Sequence, residues 1–146
     1  MSDLKFSVVG DATSQTSFLA NARHFSVIID EPPSLGGEDL GANPVEYLLA
    51  SYAGCVNVMA HLIAKELDIK LQKLFIQVEG NINPDRLFGT SFEERAGFKN
   101  ISMKLTPVSD ASPELLKKWL LEIKKRCPIN DNLVNPTPVE LLVEVN

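Results

Sequence analysis

The stretch Asn43-Pro44-Val45-Glu46-Tyr47-Leu48-Leu49-Ala50-Ser51-Tyr52-Ala53-Gly54-Cys55-Val56, continuing to Ala64, decides the fold. It opens as a helix opens. Asn43 suits the N-cap, Pro44 the first helical position, where a missing N–H costs nothing, and Glu46 the position from which a carboxylate reaches back to the cap amide. The pattern predicts a helix to about Leu67, roughly 36 Å long at 1.5 Å per residue. Leu48, Leu49, Tyr52, Val56, Met59, Ile63 and Leu67 recur on one stripe, and between Tyr47 and Ala60 the other faces are small or apolar as well. A helix apolar nearly all round is buried nearly all round, so this one is expected at the centre of the domain. Glu46, Asn57 and His61 interrupt the apolar run, which favours a buried core helix over a membrane span.

Upstream, residues 30–41 read Asp-Glu-Pro-Pro-Ser-Leu-Gly-Gly-Glu-Asp-Leu-Gly. So much Pro and Gly makes a loop, and its length leans toward function or an interface. Before it, alternation or β-branching predicts strands over residues 4–9, 17–20 and 25–29. Downstream, residues 75–78 and 101–105 alternate as strands around a polar excursion that carries Arg86 and Arg95. Ser112-Pro113-Glu114 opens a second helix with the stripe Leu115, Leu116, Trp119, Leu120 and Ile123. Pro128 ends it, because the residue before a proline is pushed out of helical geometry. Residues 139–145 read as a terminal strand. No repeat, linker or low-complexity tract divides the chain, which implies one α+β domain over residues 1–146.

The 146 residues are 45% hydrophobic and 23% charged, an ordinary globular balance, with a formal net charge of -5. An acidic surface disfavours nucleic acid and anionic membrane as partners. The first residues lack the basic and apolar regions of a signal peptide. Two cysteines without such a segment point to reduced thiols in the cytoplasm rather than a disulfide framework.

Those cysteines are the candidates for chemistry. Cys127 falls four residues after Ile123, on the inner face of the second helix at its last turn, and Cys55 lies mid-helix at the edge of the first stripe. The bland reading is two structural thiols, since free cysteine is among the most buried residue types. The sharper reading is a reactive pair. A thiolate needs a cation or a helix N-terminus. Cys55 is mid-helix and Cys127 is at a C-terminus, whose partial negative charge opposes ionisation. An arginine from elsewhere is therefore required, Arg23 being the first choice and Arg95 the second. Glu46 is a capping partner, with a bidentate hold on an arginine as its alternative role. His24 and His61 do not stand at metal-ligand spacing from the cysteines, so neither a zinc site nor any other cofactor is expected. No phosphate-binding glycine loop or nucleophile elbow is present.

Taken together, Asp30-Glu31-Pro32-Pro33 with Leu35-Gly36-Gly37, Gly41-Ala42-Asn43-Pro44-Val45-Glu46, Leu48-Leu49-Ala50 and Ala53-Gly54-Cys55 resemble the OsmC/Ohr superfamily, and its broad OsmC-like branch most. Arg95-Ala96-Gly97-Phe98 and Cys127-Pro128 extend the resemblance over about residues 20–143. It implies two long central helices packed by curved antiparallel sheets, in an intertwined homodimer with active sites at the subunit interface. It implies a peroxidatic Cys55 that attacks an organic hydroperoxide and a resolving Cys127 that closes a disulfide, reopened by a small dithiol or lipoyl-type reductant. It also implies an arginine and a glutamate that orient the thiolate. Ohr-type sequences carry that glutamate directly after the proline, where this chain has Val45, and flank the arginine with glycine, which Ala22-Arg23-His24 does not. The alternatives are a non-catalytic dimer holding a small apolar or thiol-reactive ligand in its interface cavity, and an interaction dimer with inert thiols.

Overall fold

The computed structural model describes residues 1–145, which form two compact units, one over Met1–Leu48 and one from Leu49 onward. The first contains β1 (Val9–Ala12), β2 (Phe18–Ala22) and β3 (Phe25–Ile29), an antiparallel sheet in the order β1-β2-β3. β3 forms where its β-branched run predicts it. Ala22 pairs with Phe25, so Arg23 and His24 make a two-residue turn, with Arg23 in the left-handed region at φ 56°. Such tight turns match the right-handed twist of the strands they join only when a residue adopts positive φ.

The expected first strand is displaced. Pairing begins at Val9, opposite Asn21, and residues 4–8 lie outside any strand with Leu4, Phe6 and Val8 exposed. Alternation reports a segment fit to be half-buried; it does not supply the neighbouring backbone.

The loop after β3 is organised by one side chain. Asp30 is fully buried, and its carboxylate accepts from the amides of Glu31 at 2.8 Å and of Glu38 and Leu40 at 3.2 Å each. Residues 33–35 make one 3-10 turn. The loop folds so closely on itself that a Cβ on Gly37 would stand 1.8 Å from the Glu31 carbonyl oxygen. Burial alone pushes the Asp30 carboxyl up, but the Thr16 hydroxyl and the three amides outweigh it and hold it below its ordinary value. The folded state therefore favours the ionised form. That stabilisation is present above the unfolded-state pKa and is lost as pH falls through the folded one. Asp30→Asn is expected to flatten the acid limb of melting temperature against pH between roughly pH 5 and 2. An acid limb as steep as that of the parent protein rules Asp30 out as its source.

α1 (Pro44–Glu66) starts as its sequence predicts. The Glu46 carboxylate accepts from the Asn43 amide at 2.8 Å, and Asn43 Oδ1 accepts from the Glu46 amide at 2.9 Å. The Tyr47 hydroxyl fastens this first turn to β3 by donating to the Ile28 carbonyl at 2.9 Å.

The second unit holds the rest of α1, β4 (Leu71–Asn81), β5 (Asn100–Ser109), α2 (Pro113–Arg126) and α3 (Pro128–Val134). β4 and β5 form an antiparallel ribbon, longer than the alternation alone predicts, with a register shift between Leu71 and Lys73. Ile76 pairs with Leu105 and Val78 with Met103. The core gathers Val56, Ala60, Ile63 and Ala64 of α1 with Ile69, Trp119, Ile123 and Cys127, and Leu74, Ile76, Met103 and Leu105 of the ribbon pack against it. Trp119 Nε1 donates to the Ala60 carbonyl at 2.8 Å, and Arg126 grips the Glu66 carboxylate with its two terminal guanidinium nitrogens, tying α2 to α1.

Two expectations are corrected. α1 is not buried all round: Leu48, Val58 and Leu62 are exposed, Val58 by 63%. One chain offers packing for one face of the helix and no more. The terminal strand over residues 139–145 does not form. Val139, Leu141, Leu142 and Val143 are exposed, because no strand of the described residues pairs with them. The fold is an α+β arrangement of antiparallel sheets and helices.

Candidate functional site

Two helices bring the cysteines together. Trp119, Ile123 and Cys127 recur every four residues along the buried side of α2, and Tyr52, Cys55, Val56 and Met59 line the facing side of α1. Cys127 Sγ lies 3.0 Å from Cys55 Sγ and donates to it, and both thiols are free. A disulfide requires about 1 Å of further approach. Cys55 is half-buried, whereas Cys127 is buried.

Cys127 does not sit in the last turn of α2. It is the residue between two helices. Its amide closes α2 on the Ile123 carbonyl at 3.0 Å, and its extended backbone (φ -76°, ψ 114°) then opens α3. Pro128, which ends α2 as expected, is also the first residue of α3, a helix the apolar pattern does not disclose. The Cys127 sulfur is the N-cap, accepting from the Asn130 amide at 3.4 Å. The expectation that neither thiol meets a helix N-terminus is thereby corrected for Cys127. Burial and the hydrogen bond to Cys55 nonetheless push the Cys127 thiol above its ordinary value, against the opposing pull of the Asn130 and Ile129 amides. At neutral pH Cys127 keeps its proton.

Two further residues complete the setting. The Tyr52 hydroxyl donates to Asn130 Oδ1 at 2.7 Å, and Asn130 Nδ2 donates to the Lys124 carbonyl at 3.1 Å. Burial, and then electrostatic interaction with Cys127 and Cys55, raises the Tyr52 phenol, which stays a donor. Beside the pair opens a cavity of about 210 Å³. Val56, Ile101, Met103, Leu105, Leu120 and Ile123 make its apolar walls, and Tyr52, Lys124, Cys127 and Asn130 its polar side.

The other predicted residues are each placed within their own unit. Arg95 is exposed in the loop between β4 and β5, and among the described residues no arginine of this unit donates to either thiol. That loop braces itself. Arg86 donates to the Glu94 carbonyl at 2.7 Å and to the Phe92 carbonyl, and Lys99 pairs with Glu94 at 3.0 Å. Arg23, in the first unit, lies at the tip of the β2–β3 turn with its guanidinium 5.0 Å from the Phe25 ring centre. Glu46 makes the capping box. Tyr52 was legible only as a core position and Asn130 not at all. The available signal was Asn130 standing three residues after Cys127, with Pro128 between, which is cap spacing with an unusual cap residue.

The family model for OsmC-like proteins matches residues 36–142. The chain is 24% identical over 143 residues to a hydroperoxide reductase of Mycoplasma pneumoniae, covering 98% of this chain and 96% of that protein. Its fold is similar to the crystal structure of an OsmC-like protein from Mycoplasma pneumoniae, with a TM-score of 0.80, 23% identity and coverage of 92% and 91% of the two chains. It is also similar to an organic hydroperoxide resistance protein from Elizabethkingia anophelis, with a TM-score of 0.67, 17% identity and coverage of 92% and 91%.

Proposed function

Since the chain belongs to the OsmC-like protein family, we propose that it is a thiol-dependent peroxidase that reduces organic hydroperoxides through Cys55 and Cys127. The observation that carries this reading is the 3.0 Å separation of the two free sulfurs. Cys127 is buried, raised and protonated, which leaves the more accessible Cys55 as the nucleophile. Its thiolate attacks the terminal oxygen of the O–O bond. The bond breaks, an alcohol leaves after taking a proton, and Cys55 becomes a sulfenic acid. The Cys127 sulfur then attacks that of Cys55, and water departs as the disulfide forms. A small dithiol or lipoyl-type reductant returns two electrons by exchange and leaves as its own disulfide. Arg23 first, and Arg95 second, are our candidates for the cation that activates Cys55. Glu46 is kept to its cap.

The working unit in this reading is a homodimer in the cytoplasm. A second copy would cover the open face of α1 at Val58 and Leu62 and offer strand edges to residues 139–145. One observation favours a second reading. The cavity beside Cys127 joins apolar walls to a polar side, a combination that suits a small ligand. A protein that holds a small apolar or thiol-reactive molecule there without turnover is the alternative.

The test is hydroperoxide consumption across alkyl, aryl and lipid hydroperoxides, with dihydrolipoamide as reductant. Turnover well above a Cys55→Ser control supports the peroxidase. No rate above that control with any hydroperoxide ends it.

A further inference from the structure

We propose that Tyr52 and Asn130 form a clamp that holds the thiol pair in its closing geometry and so sets the redox poise of the site. The inference deepens the two-thiol reading and rests on it.

Cys127 sits at the corner where α2 turns into α3. Cys127 itself is buried in the core, but the helix that follows it is held by few contacts. α3 spans only residues 128–134 and contains no buried residue. Among the described residues, Ile129 is the one hydrophobic residue after the corner that packs against the core. Nothing in the α2–α3 backbone by itself fixes the Cys127 sulfur against α1.

Arg126 holds the end of α2 to Glu66 of α1, and the hydrogen-bonded tie from α3 to α1 runs through one side chain. Tyr52 stands three residues before Cys55, on the same side of α1. Its hydroxyl reaches Asn130 Oδ1 at 2.7 Å, across 78 residues of sequence. Asn130 then secures the corner from both ends. Its Nδ2 donates to the Lys124 carbonyl at 3.1 Å in the last turn of α2, and its amide donates to Cys127 Sγ at 3.4 Å. The circuit Cys55–α1–Tyr52–Asn130–Cys127–Cys55 closes at the 3.0 Å contact between sulfurs. Tyr52 and Asn130 touch no sulfur with their side chains, so they are positioning residues.

The physical consequence is preorganisation. Closing the disulfide removes two protons and two electrons from the pair, which an oxidant takes up. In equilibrium with dithiothreitol the balance is protein dithiol plus oxidised dithiothreitol giving protein disulfide plus reduced dithiothreitol. With the clamp intact, the reduced corner is already in place and closure loses little freedom. Without it, the reduced corner samples open positions that the disulfide must give up, and the equilibrium moves toward the dithiol.

The experiment equilibrates the purified protein in dithiothreitol redox buffers and measures the fraction of disulfide by thiol alkylation and mass spectrometry. Tyr52→Phe keeps the ring in the core and removes the donor. It is expected to lower the exchange constant roughly five- to tenfold, the scale of one good hydrogen bond. Asn130→Ala removes the acceptor from the other side and is expected to lower it similarly, and the double variant no further, because the two act as one device. A uniform loss of stability in both redox forms does not move this constant. An exchange constant within twofold of the parent in either single variant overturns the clamp, as does a parent protein that stays fully reduced in every buffer. No peroxide enters this measurement, so its outcome and that of the hydroperoxide assay are read separately.

Discussion

Cys55→Ser is expected to abolish hydroperoxide turnover, with a loss of at least about a thousandfold, because a nucleophile has no deputy in its own site. Cys127→Ser should fail differently. Its Cys55 still attacks the O–O bond, but the sulfenic acid finds no thiol at 3.0 Å. With excess hydroperoxide it climbs to the sulfinic state. Intact mass spectrometry after a peroxide pulse separates the two. Cys127→Ser gains two oxygens on the tryptic peptide that contains Cys55, Cys55→Ser gains none at the site, and the parent loses two hydrogens as its disulfide forms. Equal oxidation of Cys127 in the Cys55→Ser protein would reverse the assigned roles. The buried position and raised thiol of Cys127 argue against that outcome.

The largest effect on stability is expected at Trp119. It is 3% exposed, packs among the buried residues of α1, and donates its indole hydrogen to the Ala60 carbonyl at 2.8 Å. Truncating a buried tryptophan to alanine costs about 3–5 kcal/mol, from lost burial and from the void left behind. Natural domains hold only about 5–15 kcal/mol in total, so Trp119→Ala should lie near the edge of folding. Trp119→Phe keeps most of the apolar surface and should lose far less. Urea unfolding followed by circular dichroism measures both. A loss below about 1 kcal/mol in Trp119→Ala would show that the α1–α2 contact is not the main support of this unit. Because Cys127 lies two turns beyond Trp119 on the same side of α2, the alanine variant should also slow disulfide closure.

What could be read in advance was local. The capping box at Asn43 and Glu46 involves residues three apart, and the end of α2 depends on Pro128 alone, so both stand in the structure as read. β3 needs only its own β-branched run. What escaped depends on partners distant in sequence or absent from the chain. Residues 4–8 and 139–145 alternate as strands do, but alternation measures fitness for a half-buried surface and cannot say whether a neighbour exists. β4 and β5 outrun their predicted spans because Lys73 and Glu79 are polar on an exposed face, while their backbones still pair. α3 was invisible because Asn130, Asp131 and Asn132 break any apolar period.

The site divides the same way. The two cysteines were legible from the stripes they share with Tyr52 and Ile123, and their contact follows from two helices packing those stripes together. The bond from Tyr52 to Asn130 had no signature, being one hydroxyl meeting one amide across the core. Glu46 was legible as a cap and remains one.

Cys127 stands where a helix-starting residue is wanted, and there a serine oxygen is among the best acceptors known. The position thus asks of its side chain two unrelated things, a redox-active sulfur and a helix cap, and serine meets the second better than cysteine does. Exchanging one for the other takes a single atom, which keeps a cap acceptor but sets a hydroxyl in the apolar core where Cys127 is buried. The cap and the thiol contact at this corner therefore rest on different properties of one atom, Cys127 Sγ.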